Sequence, residues 1–214
     1  MNGHIDFHIP CCEEFREGYE AYNKREKKGP VYFEALSLIL ENWGNAVGMA
    51  KGISRLIRSW NYLYANFAFN NLVECIDKNL SVIEEFRKRN ISSLSENDYE
   101  KITEIYDQFL DGLKRQKDGQ KSAVSVAKAL NPLAPNFFPL WDEKIAYRGY
   151  KLLYLAYSSA PVYLSFFRKM KLFAAKVEHC VPHPDDRSLL KRIDEYNYSL
   201  YTKGWIKRKI VNDK

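Results

Sequence analysis

Long apolar runs are missing from this chain. None approaches the roughly 20 residues that a membrane-spanning helix needs. Met1 to Pro10 holds two histidines and an aspartate where a secretory leader carries its apolar stretch. A soluble cytoplasmic protein with no membrane partner is therefore expected. Cysteine is scarce, with Cys11, Cys12, Cys75 and Cys180 the only four. Adjacent Cys11 and Cys12 are poor partners for each other and no framework spacing is present, so a reducing compartment without a disulfide scaffold is expected. Neither a C-x-x-C nor an H-E-x-x-H pattern occurs. His179, Cys180 and His183, with Cys11 and Cys12, offer ligand atoms only superficially, and neither a metal nor any other cofactor is expected. Glycine and proline number only 10 and 8 in 214 residues, which excludes collagen-like and low-complexity classes. Period-two alternation and internal repeats are absent too, which leaves an all-α reading.

What the chain has is charge and aromatic rings. There are 33 Lys and Arg against 27 Asp and Glu, a net charge of +6. The excess suits an anionic partner, but the charges are spread through patterned segments rather than gathered in a tail. Met1 to Lys28 reads as a helix ending in a solvated charged run. Pro30 opens a second helix through Trp43. In Asn45 to Asn70, the small residues Ala46, Gly48, Ala50 and Gly52 permit another backbone to approach closely. Ile53, Leu56, Ile57 and Trp60 form an apolar face, and an aromatic cluster runs to Phe69. Leu72 to Lys88 is amphipathic, with Leu72, Ile76, Leu80, Ile83 and Phe86 inward. Ser95 to Asp98 forms a capping box ahead of a long helix to Leu113.

The most unusual stretch is Lys121 to Tyr147. Ala123, Val124, Val126, Ala127 and Leu130 recur at helical spacing, and the prolines at 132 and 135 end that helix. A short extended run, Phe137 to Trp141, follows. Asp142 then stands at the N-cap of a helix continuing toward Ala156. Before this unit, Lys114 to Lys121 is basic and glycine-punctuated. A turn feeding backbone N–H groups into a helix N-terminus suits a phosphate, which nominates Lys117, Gly119, Gln120, Lys121 and Ser122 for DNA backbone contact. Among the aromatics, Trp43 and Trp60 stand beside the carboxamides Asn45 and Asn61. Indole next to carboxamide is what reading a base edge requires. Pro161 starts another helix with Val162, Phe166, Met170 and Phe173 aligned, and Asp185 and Asp186 cap a last helix toward Tyr198. The basic tail, Lys203 to Lys209, surrounds Trp205.

Helix, proline-containing loop, Phe138-Pro139-x-x-Asp142 and a further helix resemble the centre of the helix-hairpin-helix DNA glycosylases. In that family a Val/Phe-Pro-Val-Asp segment delivers the catalytic aspartate, and strand-cleaving members carry a lysine at the start of the preceding helix, near which Lys121 stands. The likeness covers residues 113–147. It lacks the family's Leu-Pro-Gly-Val-Gly hairpin, which Leu113 to Gln120 replaces with Asp118-Gly119 as its turn. The resemblance implies a two-lobed helical domain spanning the chain, with its cleft between the N-terminal helices and the 114–147 unit. It implies a monomer acting on double-stranded DNA, Asp142 as the catalytic carboxylate, Lys121 as the candidate amine and Trp141 as a pocket wall. Monofunctional base excision is the expected outcome. A weaker resemblance to phage-defence glycosylases implies a glucosylated hydroxymethylcytosine as substrate. The residues also admit a non-catalytic helical DNA-binding module or a protein-interaction module. A nuclease is disfavoured, because Asp185-Asp186 has no accompanying Glu-x-Lys on a strand.

Overall fold

The computed structural model describes residues 6–152, 159–181 and 187–209. Among them there is no strand, only one isolated antiparallel bridge between Phe67 and Arg115. The all-α reading holds. No helix among these residues is long and apolar enough to cross a membrane.

Helix α1 (Cys12–Arg25) carries Glu13 and Glu14 in its first turn and Lys24 and Arg25 in its last, each sign opposing the helix dipole. Helix α2 (Pro30–Glu41) opens on its proline and stops before Gly44, whose φ of 84° only glycine adopts readily. Helix α3 (Ala46–Trp60) is capped by Asn45, whose carboxamide oxygen accepts from the Gly48 N–H at 3.1 Å. The small-residue stripe does what its composition implies. A Cβ placed on Gly52 would lie 2.7 Å from an Ile39 side-chain carbon and 2.8 Å from the Ala35 carbonyl oxygen, so α2 and α3 pack almost backbone to backbone.

Helix α4 (Phe69–Arg87) buries Leu72, Ile76, Ile83 and Phe86, as its periodicity requires. The capping box forms as read. Asp98 accepts from the Ser95 N–H at 2.7 Å and leads into α5 (Tyr99–Gly112). Arg89 grips the same carboxylate through two nitrogens at 2.7 and 2.8 Å and, with the Ser95 bonds, holds its pKa down at about 2. Helix α6 (Ala123–Leu133) keeps Pro132 in its last turn and ends just beyond it.

Three sequence expectations are corrected. Phe137 does not begin an extended run. Its N–H and that of Phe138 both donate to the Ala134 carbonyl at 3.0 Å, so 134–138 is a turn and only the residues after it extend to Trp141. The helix after Asp142 widens into a π-helical turn, Ile145–Gly149, and stops at Tyr150 before left-handed Lys151 (φ 52°). Residues 153–158 of that expected helix, with Tyr154 and Tyr157, lie outside the described residues. The cysteine reading also fails: Cys12 and Cys180 form a disulfide across 168 positions of sequence. Spacing along the chain cannot reveal a pairing made by the tertiary fold.

Helix α7 (Ala160–Val177) buries Phe166, Met170 and Phe173. Helix α8 (Leu189–Asn197) is capped by Ser188, whose Oγ accepts from the Lys191 N–H at 3.1 Å; the proposed caps Asp185 and Asp186, with His183, fall outside the described residues. The basic tail packs against α1. Ile206 is buried, and Lys209 pairs with Glu13 and Glu17 on α1 at 2.9 and 3.3 Å. One apolar core joins residues from Phe15 to Ile206, with a small satellite of Tyr32, Ala35, Leu56 and Leu140 beside it.

The close α2–α3 contact yields a test. Gly52→Ala gains roughly 0.5–1 kcal/mol of helix propensity, but its methyl meets a backbone carbonyl that cannot rotate away, an overpacking cost of about 1–3 kcal/mol. A net destabilisation of about 1–2 kcal/mol is expected in the urea midpoint; an unchanged or raised midpoint would show that the helices do not pack this closely.

Candidate functional site

The loop that follows α6 is tied back to that helix. The Trp141 indole N–H donates to the Ala123 carbonyl at 3.1 Å, and Asn131 donates to the Phe138 carbonyl at 2.7 Å while accepting from the Tyr32 hydroxyl at 2.7 Å. All three hydrogen bonds are buried. They bring Asp142 to the wall of a small pocket of about 140 Å³, below the roughly 300–1,000 Å³ of sites for drug-sized ligands.

Five chain regions supply its walls, one of them the Leu140–Asp142 loop itself. Tyr22 and Glu26 come from the end of α1 and the loop beyond it. Ser59 and Trp60 close α3, Lys128 rises from α6, and Asp194 with Tyr198 face it from α8 and the turn beyond. Tyr22, Trp60, Trp141 and Tyr198 give the lining its rings, while three acids and the cations Lys28 and Lys128 supply the charge.

The polar groups are held in place. One Asp142 oxygen accepts from the Ile145 N–H at 2.7 Å, the cap read from the sequence, and the other accepts from the Thr202 hydroxyl at 2.8 Å. Burial raises the Asp142 pKa above the usual carboxylate range, with those two hydrogen bonds opposing it. Lys128 Nζ donates to the Trp60 carbonyl at 2.7 Å and lies 5.8 Å from the indole centroid. Burial lowers its pKa to about 8, even though Asp142 and Asp194 favour its cation. Glu26 accepts from the Tyr198 hydroxyl at 3.0 Å and from the Lys28 N–H at 2.9 Å. Trp60 donates to the Lys28 carbonyl at 3.1 Å.

Beneath the pocket runs a buried charge cluster. Lys191 lies 2.8 Å from Asp194 and 3.4 Å from Glu195, with Arg187 3.8 Å from Glu195. Its Nζ sits 4.4 Å from the Tyr22 ring centroid, 5.2 Å from Trp60 and 5.3 Å from Tyr32. Burial alone would lower the Lys191 pKa, but Asp194 leads the charges that hold it well above the ordinary value.

Of the residues chosen from the sequence, Asp142, Trp60 and Trp141 converge on this pocket. The others stand elsewhere. Trp43 donates to Glu84 at 3.2 Å and stacks under Arg87, 4.0 Å from its ring. Asn45 caps α3. Asn61 donates to the hydroxyls of Ser122 and Ser125 at 3.1 and 2.8 Å, tying α3 to the start of α6. Lys121 pairs with Asp111 at 2.6 Å on the surface. The 113–120 turn is organised by Arg115, which holds Asp118, Gln120 and the Leu63 carbonyl, while Gly119 adopts a φ of 70°. Lys117, Gly119 and Gln120 are exposed there, and Ser122 is the buried cap of α6. Lys128 was the missed residue with a visible signal, a lone lysine in the apolar run AVSVAKAL. Tyr22, Glu26, Asp194 and Tyr198 carried none, because nothing local marks a helix as buried on its charged side.

The lowered Lys128 pKa sets the sign of a stability test. The unfolded chain retains this proton up to the ordinary 10.5 and the folded chain releases it near 8, so folding gains stability as pH rises between the two. The unfolding free energy of wild type relative to Lys128→Met should rise across that window by on the order of 1–3 kcal/mol. A pH-independent difference, measured by chemical denaturation, would mean that Lys128 is solvated.

No protein-family model, curated protein or solved structure matches this chain.

Proposed function

We propose that the protein is a monomeric DNA glycosylase. It takes an extruded modified base into the aromatic pocket and hydrolyses its N-glycosidic bond, with Asp142 as the central carboxylate. The observation that carries this reading is the convergence of Asp142, Trp60 and Trp141 with Lys128 in one pocket. The 142 position is also where the helix-hairpin-helix resemblance calls for the catalytic aspartate.

Departure of a base builds positive charge on the sugar. A carboxylate near C1′ stabilises that charge and orients the attacking water. Trp60, Trp141, Tyr22 and Tyr198 offer faces for the flipped base, and Glu26, Ser59 and Asp194 offer edges to hydrogen-bond it. Those hydrogen-bonding edges suit a base bearing a hydroxymethyl group, and the sugar of a glucosylated hydroxymethylcytosine of phage DNA would extend beyond a pocket of about 140 Å³. The surface-paired Lys121 leaves the monofunctional route favoured, and Lys128 supplies the pocket's buried amine.

The phosphate grip is assigned to the α5–α6 turn, where Lys114 and Lys117 are exposed. Tyr62 and Leu63, 71% and 59% exposed, lie on the loop joined to that turn through Arg115 and the Gln116 N–H bond to Asn66. They suit the gap that a flipped base leaves in the duplex.

A second reading has one observation in its favour. Both Asp142 oxygens already have intramolecular donors, as in a purely structural cap, which fits a non-catalytic DNA-binding module.

Base release followed by mass spectrometry separates the two. An asparagine at 142 retains an oxygen for the Ile145 N–H, so Asp142→Asn should fold normally. Wild type is expected to release a free base from hypermodified phage DNA, and Asp142→Asn to do so about 100-fold more slowly or worse. DNA binding by both proteins with no base released by either would establish the binding module. Equal release by both would remove Asp142 from the chemistry.

The pH profile gives an independent check. Asp142 must be ionised, and its pKa is raised. The acid limb of kcat/KM should therefore fall off at a higher pH than for an ordinary carboxylate, and a limb at or below the ordinary 3.8 would contradict this role.

A further inference from the structure

Away from the pocket, the chain brings together two cysteines and a histidine. Cys12 opens α1, while His179 and Cys180 form the short turn that ends α7. Their ligand atoms all lie within 4.8 Å of one another. We propose that, when the Cys12–Cys180 bond is reduced, these three residues bind a thiophilic divalent cation of the zinc class. Disulfide and metal would then be alternative clasps between the same two helices.

The imidazole is the informative group. A disulfide requires no third partner, yet His179 Nε2 stands 3.4 Å from Cys12 Sγ and 3.5 Å from Cys180 Sγ. In a tetrahedral zinc centre, metal–sulfur bonds of about 2.3 Å and metal–nitrogen bonds of about 2.0–2.1 Å place sulfur and nitrogen ligands about 3.5 Å apart. Both nitrogen–sulfur edges therefore already have coordination length. The two sulfurs need only separate to about 3.8 Å, the corresponding sulfur–sulfur edge. The Cα atoms lie 4.9 Å apart, and rotation about the two Cα–Cβ bonds is the movement that the proposal requires.

The surroundings suit a cation held by anionic sulfur. Cys12 lies in the first turn of a 14-residue helix, where the dipole favours a negative ligand. Cys180 is buried, while His179 is exposed and Cys12 half-buried, which gives the ion a route in. Three protein ligands leave a fourth position for water.

The chemistry balances. A dithiol reductant passes two electrons and two protons to the Cys12–Cys180 bond, leaving two thiols and its own disulfide. The cation then displaces both thiol protons and accepts the lone pair of neutral His179. A small-molecule disulfide would reverse the sequence: it takes two electrons from the thiolates and two protons from water, leaves as two thiols, and the re-formed Cys12–Cys180 bond releases the metal.

The test uses the full chain, reduced with a phosphine and freed of metal, and titrated with Co²⁺ and then with Zn²⁺ against a chromophoric chelator. Reduced wild type should bind a single equivalent of Co²⁺ with thiolate charge-transfer absorption and tetrahedral visible bands, and Zn²⁺ should displace it. The oxidised protein should give no such bands. Cys12→Ser should abolish the charge transfer. His179→Ala, a change at an exposed side chain that leaves the fold intact, should weaken binding by more than about 100-fold, beyond the loss from an outer-shell partner. Reduced wild type without thiolate charge transfer would overturn the proposal, as would unchanged affinity in His179→Ala with helical circular dichroism preserved.

Discussion

The buried cation Lys191 is the constraint on which the neighbouring structure depends. An ammonium inside a protein is tolerated only when its desolvation is offset by close opposite charge and polarisable neighbours. Asp194 and Glu195 meet the first condition, and the rings of Tyr22, Tyr32 and Trp60 the second. Those rings come from α1, α2 and α3, so one ion orients three helices around α8. Losing Asp194 would leave Glu195 as the one close carboxylate facing this buried charge among those named. The walls of the pocket are thereby set before any ligand arrives.

Asp142 sits at the meeting of two demands. As a cap it must be an acceptor with fixed direction, and both of its oxygens are engaged. In the proposed hydrolytic role it would have to be ionised, which its burial opposes. The Ile145 N–H and the Thr202 hydroxyl reconcile the two, since donors to the anion both position it and favour its charged form. Lys128 on the facing helix meets the same burial from the opposite sign, which brings its pKa down toward neutrality. A carboxylate and an amine whose pKa values are moved toward each other are a pairing that acid–base chemistry uses.

Much of the helical framework could be read directly. The capping box at Ser95, the Pro30 helix start, the apolar stripe of α4 and the close approach at Gly52 each rest on forces acting within a few residues or along one helix face. Readings failed where the deciding force came from elsewhere in the chain. The segment after Asp142 has helical composition, yet packing Gly149 against Tyr201, where an added Cβ would meet the ring at 2.8 Å, accompanies a π-turn there. Trp43 and Asn45 have the chemistry of base recognition but are occupied by Glu84, Arg87 and a helix cap.

The sequence by itself determined that the chain is helical, where most helices begin and that Asp142 starts one, because propensity, capping and periodicity act locally. It also marked Trp60 and Trp141 as candidates beside that carboxylate. Tertiary structure alone decided that Lys128 and Asp194 face Asp142 and that Lys121 turns to Asp111 instead. It likewise joined Cys12 to Cys180, and buried a charged helix, LLKRIDEYN, whose composition is that of a solvent-facing one. The physical reason is the same in each case: burial and ion pairing depend on which distant surfaces meet, and that information is not contained in any single stretch of the chain.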